Sequence, residues 1–242
     1  MLGIIPYESQ AAEKEFKIGL VASSKMECGT AHIKAADMAI EEINSKGGIL
    51  GRKVKVLFED DQSNTEKGIS ALKKLVEKDK VDVIVGGVVS GITLAQMEYM
   101  KNYNMIYMAT GVSSPLIADK IVKNYDKYKY VFRTTINALS LAKSIVEDEL
   151  ALFVKLGYKN FAIMAEDAAW NRGLIDYMQK SVPKIGGTIV DTVLFDPSTI
   201  DFAPVFSKIR SSKADAAITL VAHTDTIALY KQYQEMKPAF RM

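Results

Sequence analysis

Cysteine, histidine and tryptophan are scarce in this chain, with one cysteine, one tryptophan and two histidines among 242 residues. A lone Cys28 excludes an internal disulfide and any cysteine-based zinc site. It suits the cytosol or an exported protein that does without disulfides. An excess of one charge is also missing. The 31 basic and 29 acidic residues leave +2, and the two signs are interleaved. The long basic block of a nucleic-acid or membrane-surface binder is therefore absent, and no nucleic-acid partner is expected. No apolar run approaches the ~20 residues needed to cross a bilayer. Residues 1–15 have no basic n-region and only a stub of apolar residues, so they do not read as a signal peptide. They are expected to be an N-terminal tether ahead of the first strand, or what remains after an export segment.

Nucleotide and nucleophile signatures are missing too. The segment GGVVSGIT, residues 86–93, has two glycines at P-loop spacing. The lysine that must follow them is replaced by Ile92, which excludes a nucleoside-triphosphatase loop. No G-x-G-x-x-G follows the first predicted strand, and no G-x-S-x-G elbow is present. No cofactor is expected.

What the chain does contain is a regular alternation of β-rich runs and amphipathic stretches. Hydrophobic residues are 48% and charged residues 25%, ordinary for a globular protein, and the length suits two compact lobes. Strands are predicted over 16–21, 53–59, 81–85, 105–108, 130–133, 160–164, 188–194 and 216–220. Helices are predicted over 33–45, 65–78, 92–103, 139–156, 172–185, 202–211 and 224–236. In the first helix Ile33, Ala36, Ile40 and Ile43 share one face, and Gly47 and Gly48 end it. The run 81–85, apolar but for Asp82, suits a parallel strand covered on both faces. Such alternation predicts an α/β fold of two doubly wound parallel-sheet lobes. The lobe boundary is placed near Asn137, giving a first lobe over 16–136 and a second over 137–242.

Ligands of open parallel sheets sit beyond the carboxyl ends of the strands. That rule selects the loops 22–31, 86–91, 109–115, 165–170 and 221–225. Gly87, Ser90, Gly91, Thr110, Gly111, Ser113 and Ser114 crowd two of them, and small residues let backbone N–H groups approach a ligand. Ser90 is expected to cap the following helix, whose N-terminus suits a carboxylate or phosphate. Each of these serines taken alone is more often a turn former than a ligand contact. Trp170 falls in a strand-end loop, where it walls a pocket or packs on its own lobe. Cys28 and His32 have a C-x-x-x-H spacing with no second pair, which favours a half-buried cysteine and a helix-start histidine over a metal site. The pairs Asp60–Asp61 and Glu166–Asp167 are candidates for acid–base work, with hydrogen-bonded loop carboxylates the more frequent outcome.

Several of these segments, taken in order, resemble the branched-chain amino-acid binding proteins of ABC importers. They are AADMAIEEINSKGGILGRKVKVLFEDDQSN, KVDVIVGGVVSG, MATGVSSPLI, YVFRTT, FAIMAEDAAWNRGL and TIDFAPVFSKIRSSKADAAITL. The resemblance runs from about Phe16 to the end. It implies a type I periplasmic-binding fold, two lobes joined by a hinge with a ligand between them. It also implies that the C-terminal part is truncated, leaving the second lobe incomplete. By resemblance Ser90 binds a ligand carboxylate, Gly111 supplies a carbonyl and Ser113 a hydroxyl, Trp170 is the second-lobe aromatic, and Ala222 or His223 occupies a further contact position. The family's aromatic in the first loop is missing here, with Cys28 about where it stands, and the acid that meets a ligand ammonium falls past Met242. The implied role is an extracytoplasmic receptor, periplasmic or at the cell surface and membrane-tethered, without enzymatic activity. It would deliver a small amino acid or related carboxylate or amide to an importer permease. A sensory domain for amides, urea or small organic acids is the first alternative. An enzyme using His223 with Asp225, or the Glu166–Asp167 pair, is the second.

Overall fold

The computed structural model describes residues 15–242. The tether expected over 1–15 lies, but for Glu15, outside the described residues. The chain alternates strands and helices throughout. In order these are β1 Phe16–Ala22, α1 Glu27–Ser45, β2 Val54–Asp60, α2 Thr65–Lys73, β3 Val83–Gly86, α3 Ser90–Met100, β4 Tyr107–Ala109, α4 Pro115–Lys123, α5 Tyr125–Tyr128 and β5 Val131–Arg133. Then come α6 Ala138–Ser144, α7 Ala151–Lys155, β6 Asn160–Glu166, α8 Ala169–Ser181, β7 Thr188–Phe195, α9 Ala203–Ser211, β8 Ala216–Leu220 and α10 Thr226–Met236. A π-helical turn over Lys74–Lys78 extends α2, and another over Ile145–Leu150 joins α6 to α7.

The strands form two parallel sheets, a five-stranded one in the order β2-β1-β3-β4-β5 and a three-stranded one in the order β7-β6-β8. The doubly wound architecture expected from the alternation is therefore what forms. Each sheet reverses its strand order at one place, between β1 and β3 in the first and between β6 and β8 in the second. A crevice opens at such a switch point because the two neighbouring connections leave in opposite directions.

Each sheet has its own packing. In the first, Leu72, Leu75, Ile84, Met97 and Tyr107 are fully buried around one core. In the second, the two faces carry separate cores, one around Phe161, Ile163, Leu174 and Met178 and the other around Met164, Phe202, Phe206 and Leu229. Strand β6 is buried over its last six residues, so its apolar run is dictated by cover on both faces. Between the two units, the Ser114 hydroxyl donates to the Ala169 carbonyl over 3.2 Å. Gly173 of α8 lies so near Pro115 of α4 that a Cβ there would stand 2.7 Å from its ring.

Three expectations need correction. The helix expected over 33–45 starts six residues earlier, at Glu27. Gly29 allows this, because a Cβ there would collide with the Ser23 carbonyl oxygen where α1 leaves β1. Its apolar stripe of Ile33, Ala36, Ile40 and Ile43 is only half-buried. Helices α4 and α5 were not expected, although Ser114 followed by Pro115 is a start signal and Ile117 and Ile121 are one turn apart. Ser90 is the first residue inside α3, preceded by Val89, and its side chain caps nothing.

Candidate functional site

The loops that leave the two switch points, with those after the neighbouring strands β2 and β7, face one another across a cleft of about 620 Å³. From the first sheet come Lys25 and Met26 after β1, Ser63 after β2, and Val89, Ser90 and Gly91 after β3. From the second come Asp167, Ala168, Ala169, Trp170 and Arg172 after β6, Asp196, Pro197 and Ser198 after β7, and His223 after β8. The walls combine hydroxyls, the first turns of α3 and α8, two cations and an apolar strip. The free N–H groups of a helix's first turn favour an anion, and with Ser90 beside them they suit a carboxylate.

The structure brings Ser90, Trp170 and His223 to this cleft. It does not bring Gly111 and Ser113 to it. Gly111 sits behind the wall, its N–H on the Gly87 carbonyl at 2.9 Å and its Cα against the His32 ring. The Ser113 carbonyl accepts from Ala138 N at 2.9 Å and from Arg133 Nη1 at 3.4 Å, which ties the loop after β4 to the start of α6.

Glu166, at the end of β6, organises the second wall. Its side chain is fully buried. Oε1 accepts from the backbone N–H groups of Ala222 at 2.9 Å, His223 at 2.6 Å and Thr224 at 2.7 Å, and from the Thr224 hydroxyl at 2.7 Å. Oε2 accepts from His223 Nδ1 at 2.8 Å and Trp170 Nε1 at 3.3 Å. Burial pushes this carboxyl up, but the donors on His223 and Thr224 and the N–H of Ala222 outweigh it and hold it at about 2. A charge can stay buried when donors replace its lost water shell. Asn171 closes the base, its Nδ2 donating to the carbonyls of Glu166 at 2.9 Å and Leu220 at 3.2 Å.

Trp170 is neither in a loop nor purely a wall. It lies in the first turn of α8, packs into the second-sheet core and lines the cleft with what remains exposed. Asp225, weighed as the partner of His223, instead caps α10 by accepting from Ala228 N at 3.0 Å. Glu166 and Asp167 are adjacent but separated in role, the second being exposed at the rim 3.7 Å from Arg172. Asp60 and Asp61 are hydrogen-bonded loop carboxylates. Asp60 takes the N–H groups of Ser24 and Gln62, and Asp61 takes that of Ser63. His32 turns Nδ1 onto the Cys28 carbonyl at 2.7 Å, one helical turn back. Sequence reasoning missed Ser63 and the segment 196–198. The strand-end rule finds both once it is applied to the loops after β2 and β7.

Comparison with known proteins agrees with this geometry. The model of the family described as periplasmic binding protein matches residues 18–240. The Leu/Ile/Val-binding protein BraC3 of Rhizobium johnstonii is 27% identical over 206 residues, 83% of this chain and 52% of that protein. An amino acid binding protein of Pseudomonas aeruginosa is 25% identical over 210 residues, 86% of this chain and 53% of its own length. The chain thus spans about half the length of the curated relatives it matches. Among solved structures, a solute binding protein of an ABC transporter from Rhodopseudomonas palustris, in complex with 3,4-dihydroxybenzoic acid, superposes with a TM-score of 0.77 at 23% identity, covering 92% of this chain and 59% of that one. The branched-chain amino acid transporter substrate binding protein LivJ from Streptococcus pneumoniae, in complex with isoleucine, gives 0.77 at 22% identity, covering 94% and 63%. These relatives are solute-binding proteins rather than enzymes. With its two parallel sheets and a cleft between their switch points, the chain belongs to the periplasmic binding protein family.

Proposed function

We propose that this chain is the ligand-capturing part of an extracytoplasmic receptor that hands a small carboxylate, an amino acid or an aromatic acid, to an ABC importer permease. Its lobes are 16–136 and 137–242. The observation that carries the reading is the cleft itself, lined by strand-end loops of both sheets. A ligand carboxylate rests on the Ser90 hydroxyl and the first N–H groups of α3, and its apolar body lies along Val89, Ala168 and Trp170. Closure is then a population shift driven by contacts that exist only when both walls touch the ligand. Relatives that bind isoleucine and hydroxylated benzoic acids support both ligand classes.

A thermal-shift scan of the chain against amino acids, amides and aromatic acids tests this. A ligand that binds only the native state raises stability by RT ln(1 + [L]/Kd). A shift confined to one class of carboxylate is expected. A cooperative transition that no compound moves refutes the receptor reading.

A further inference from the structure

We infer that Glu166 is a positioning residue that locks His223 in the Nδ1–H tautomer and so leaves Nε2 as a hydrogen-bond acceptor in the cleft, selecting ligands that carry a hydroxyl or ammonium donor. The ligand half of this rests on the receptor reading above; the tautomer half does not.

The two oxygens of Glu166 have divided tasks. Oε1 holds the backbone of the loop after β8 through Ala222, His223 and Thr224. Oε2 meets the rings of His223 and Trp170. An ionised carboxylate only accepts, so the nitrogen 2.8 Å away must carry the proton. In a neutral imidazole the other nitrogen is then an acceptor. The same carboxylate also takes the backbone N–H of His223, which keeps the residue beside it. His223 lines the cleft, and with Nδ1 turned inward its free edge belongs to the ligand. Elsewhere on this wall the Trp170 N–H is spent on Glu166. Asp196 accepts from the N–H of Ser198 at 2.8 Å and from its hydroxyl at 2.5 Å. Asp167 and Asp196 also line this wall as charged acceptors, and Nε2 of His223 adds an uncharged one.

The substitution Glu166→Gln separates the two tasks. A carboxamide oxygen at the Oε1 position keeps the three backbone donors. The carboxamide NH2 then faces both Nδ1 and Trp170 Nε1; Nδ1 must accept, so the proton moves to Nε2 and the cleft-facing nitrogen becomes a donor, while the Trp170 N–H loses its acceptor. The first readout is the ¹⁵N spectrum of the histidine rings at about pH 8.5, where neutral tautomers are resolved. The wild type should show both rings in the Nδ1–H form, since His32 Nδ1 donates to a carbonyl, and Glu166→Gln should convert one of them. The second is calorimetry with 4-hydroxybenzoate against benzoate and L-leucine against 4-methylpentanoate. The wild type should favour the donor-bearing member of a pair about tenfold, and Glu166→Gln should abolish that preference. An Nε2–H ring at His223 in the wild type overturns the inference, as does a donor preference that survives Glu166→Gln. Absence of binding by every compound, with His223 in the expected tautomer, overturns the receptor reading and its ligand half alone. The wild-type spectrum needs no variant, so a Glu166→Gln protein that does not fold leaves the tautomer test intact.

Discussion

Removing the charge of Glu166 while keeping its shape tests how the second wall is held together. The perturbation is Glu166→Gln, and the quantity is unfolding free energy as a function of pH. In the folded protein the carboxyl sits at about 2, against an ordinary glutamate value of 4.5. Each unit of displacement is worth 1.36 kcal/mol, so the ionised form stabilises the fold by about 3 kcal/mol at neutral pH. The sign follows from the folded value being the lower one. The contribution is complete above about 4.5 and is lost as the pH falls through about 2. Urea unfolding at pH 7 should show Glu166→Gln less stable by about 2–3 kcal/mol, because the amide still accepts the backbone bonds. The gap should shrink below about 1 kcal/mol near pH 2, where the folded wild type is half protonated and the unfolded chain fully so. Glu166→Ala should cost more, about 3–5 kcal/mol, since it strands a cluster of buried donors. A gap that is the same at both pH values would refute the account, because a shape or packing effect does not titrate.

Ser90→Ala should weaken binding of any carboxylate found in the screen about tenfold by calorimetry, with little change in melting temperature, since the hydroxyl caps nothing. Gly29→Ala should lower stability by about 2–4 kcal/mol in urea unfolding, because the Cβ has backbone rather than a flexible side chain in its way. Gly173→Val should force α8 away from Pro115, 2.7 Å from the new Cβ. Small-angle scattering should then report a wider molecule and calorimetry a weaker ligand, whereas an unchanged profile would mean that the two units do not meet there.

Much of the fold was legible because its signals are local. The run over 81–85 marks β3, and the buried stretch of β6 shows in its lack of polar alternation. Gly47 and Gly48 end α1 as expected, both with positive φ. The early start of α1 was not legible. It depends on Gly29 approaching the end of β1, and nothing nearby in the sequence signals that approach. The missed α4 is different, since the serine–proline start and the apolar spacing were present but the loop reading of Ser113 and Ser114 took precedence.

The site divides along the same line. The strand-end rule needs only the order of strands and loops, and it led to Ser90, Trp170 and His223 from sequence alone. It placed Gly111 and Ser113 with them because it does not distinguish among the loops it selects. Only the tertiary structure decides which strand ends reach the cleft, and the loop after β4 does not. Glu166 shows the limit most clearly. Beside Asp167 it reads as half of an acidic pair, since residues 222–224 are far away in sequence. Sequence determined that a glutamate lies just after the strand predicted over 160–164 and a histidine just after that over 216–220. The pairing of those strands in register brought the two together, and burial then made the hydrogen bonds of that carboxylate obligatory.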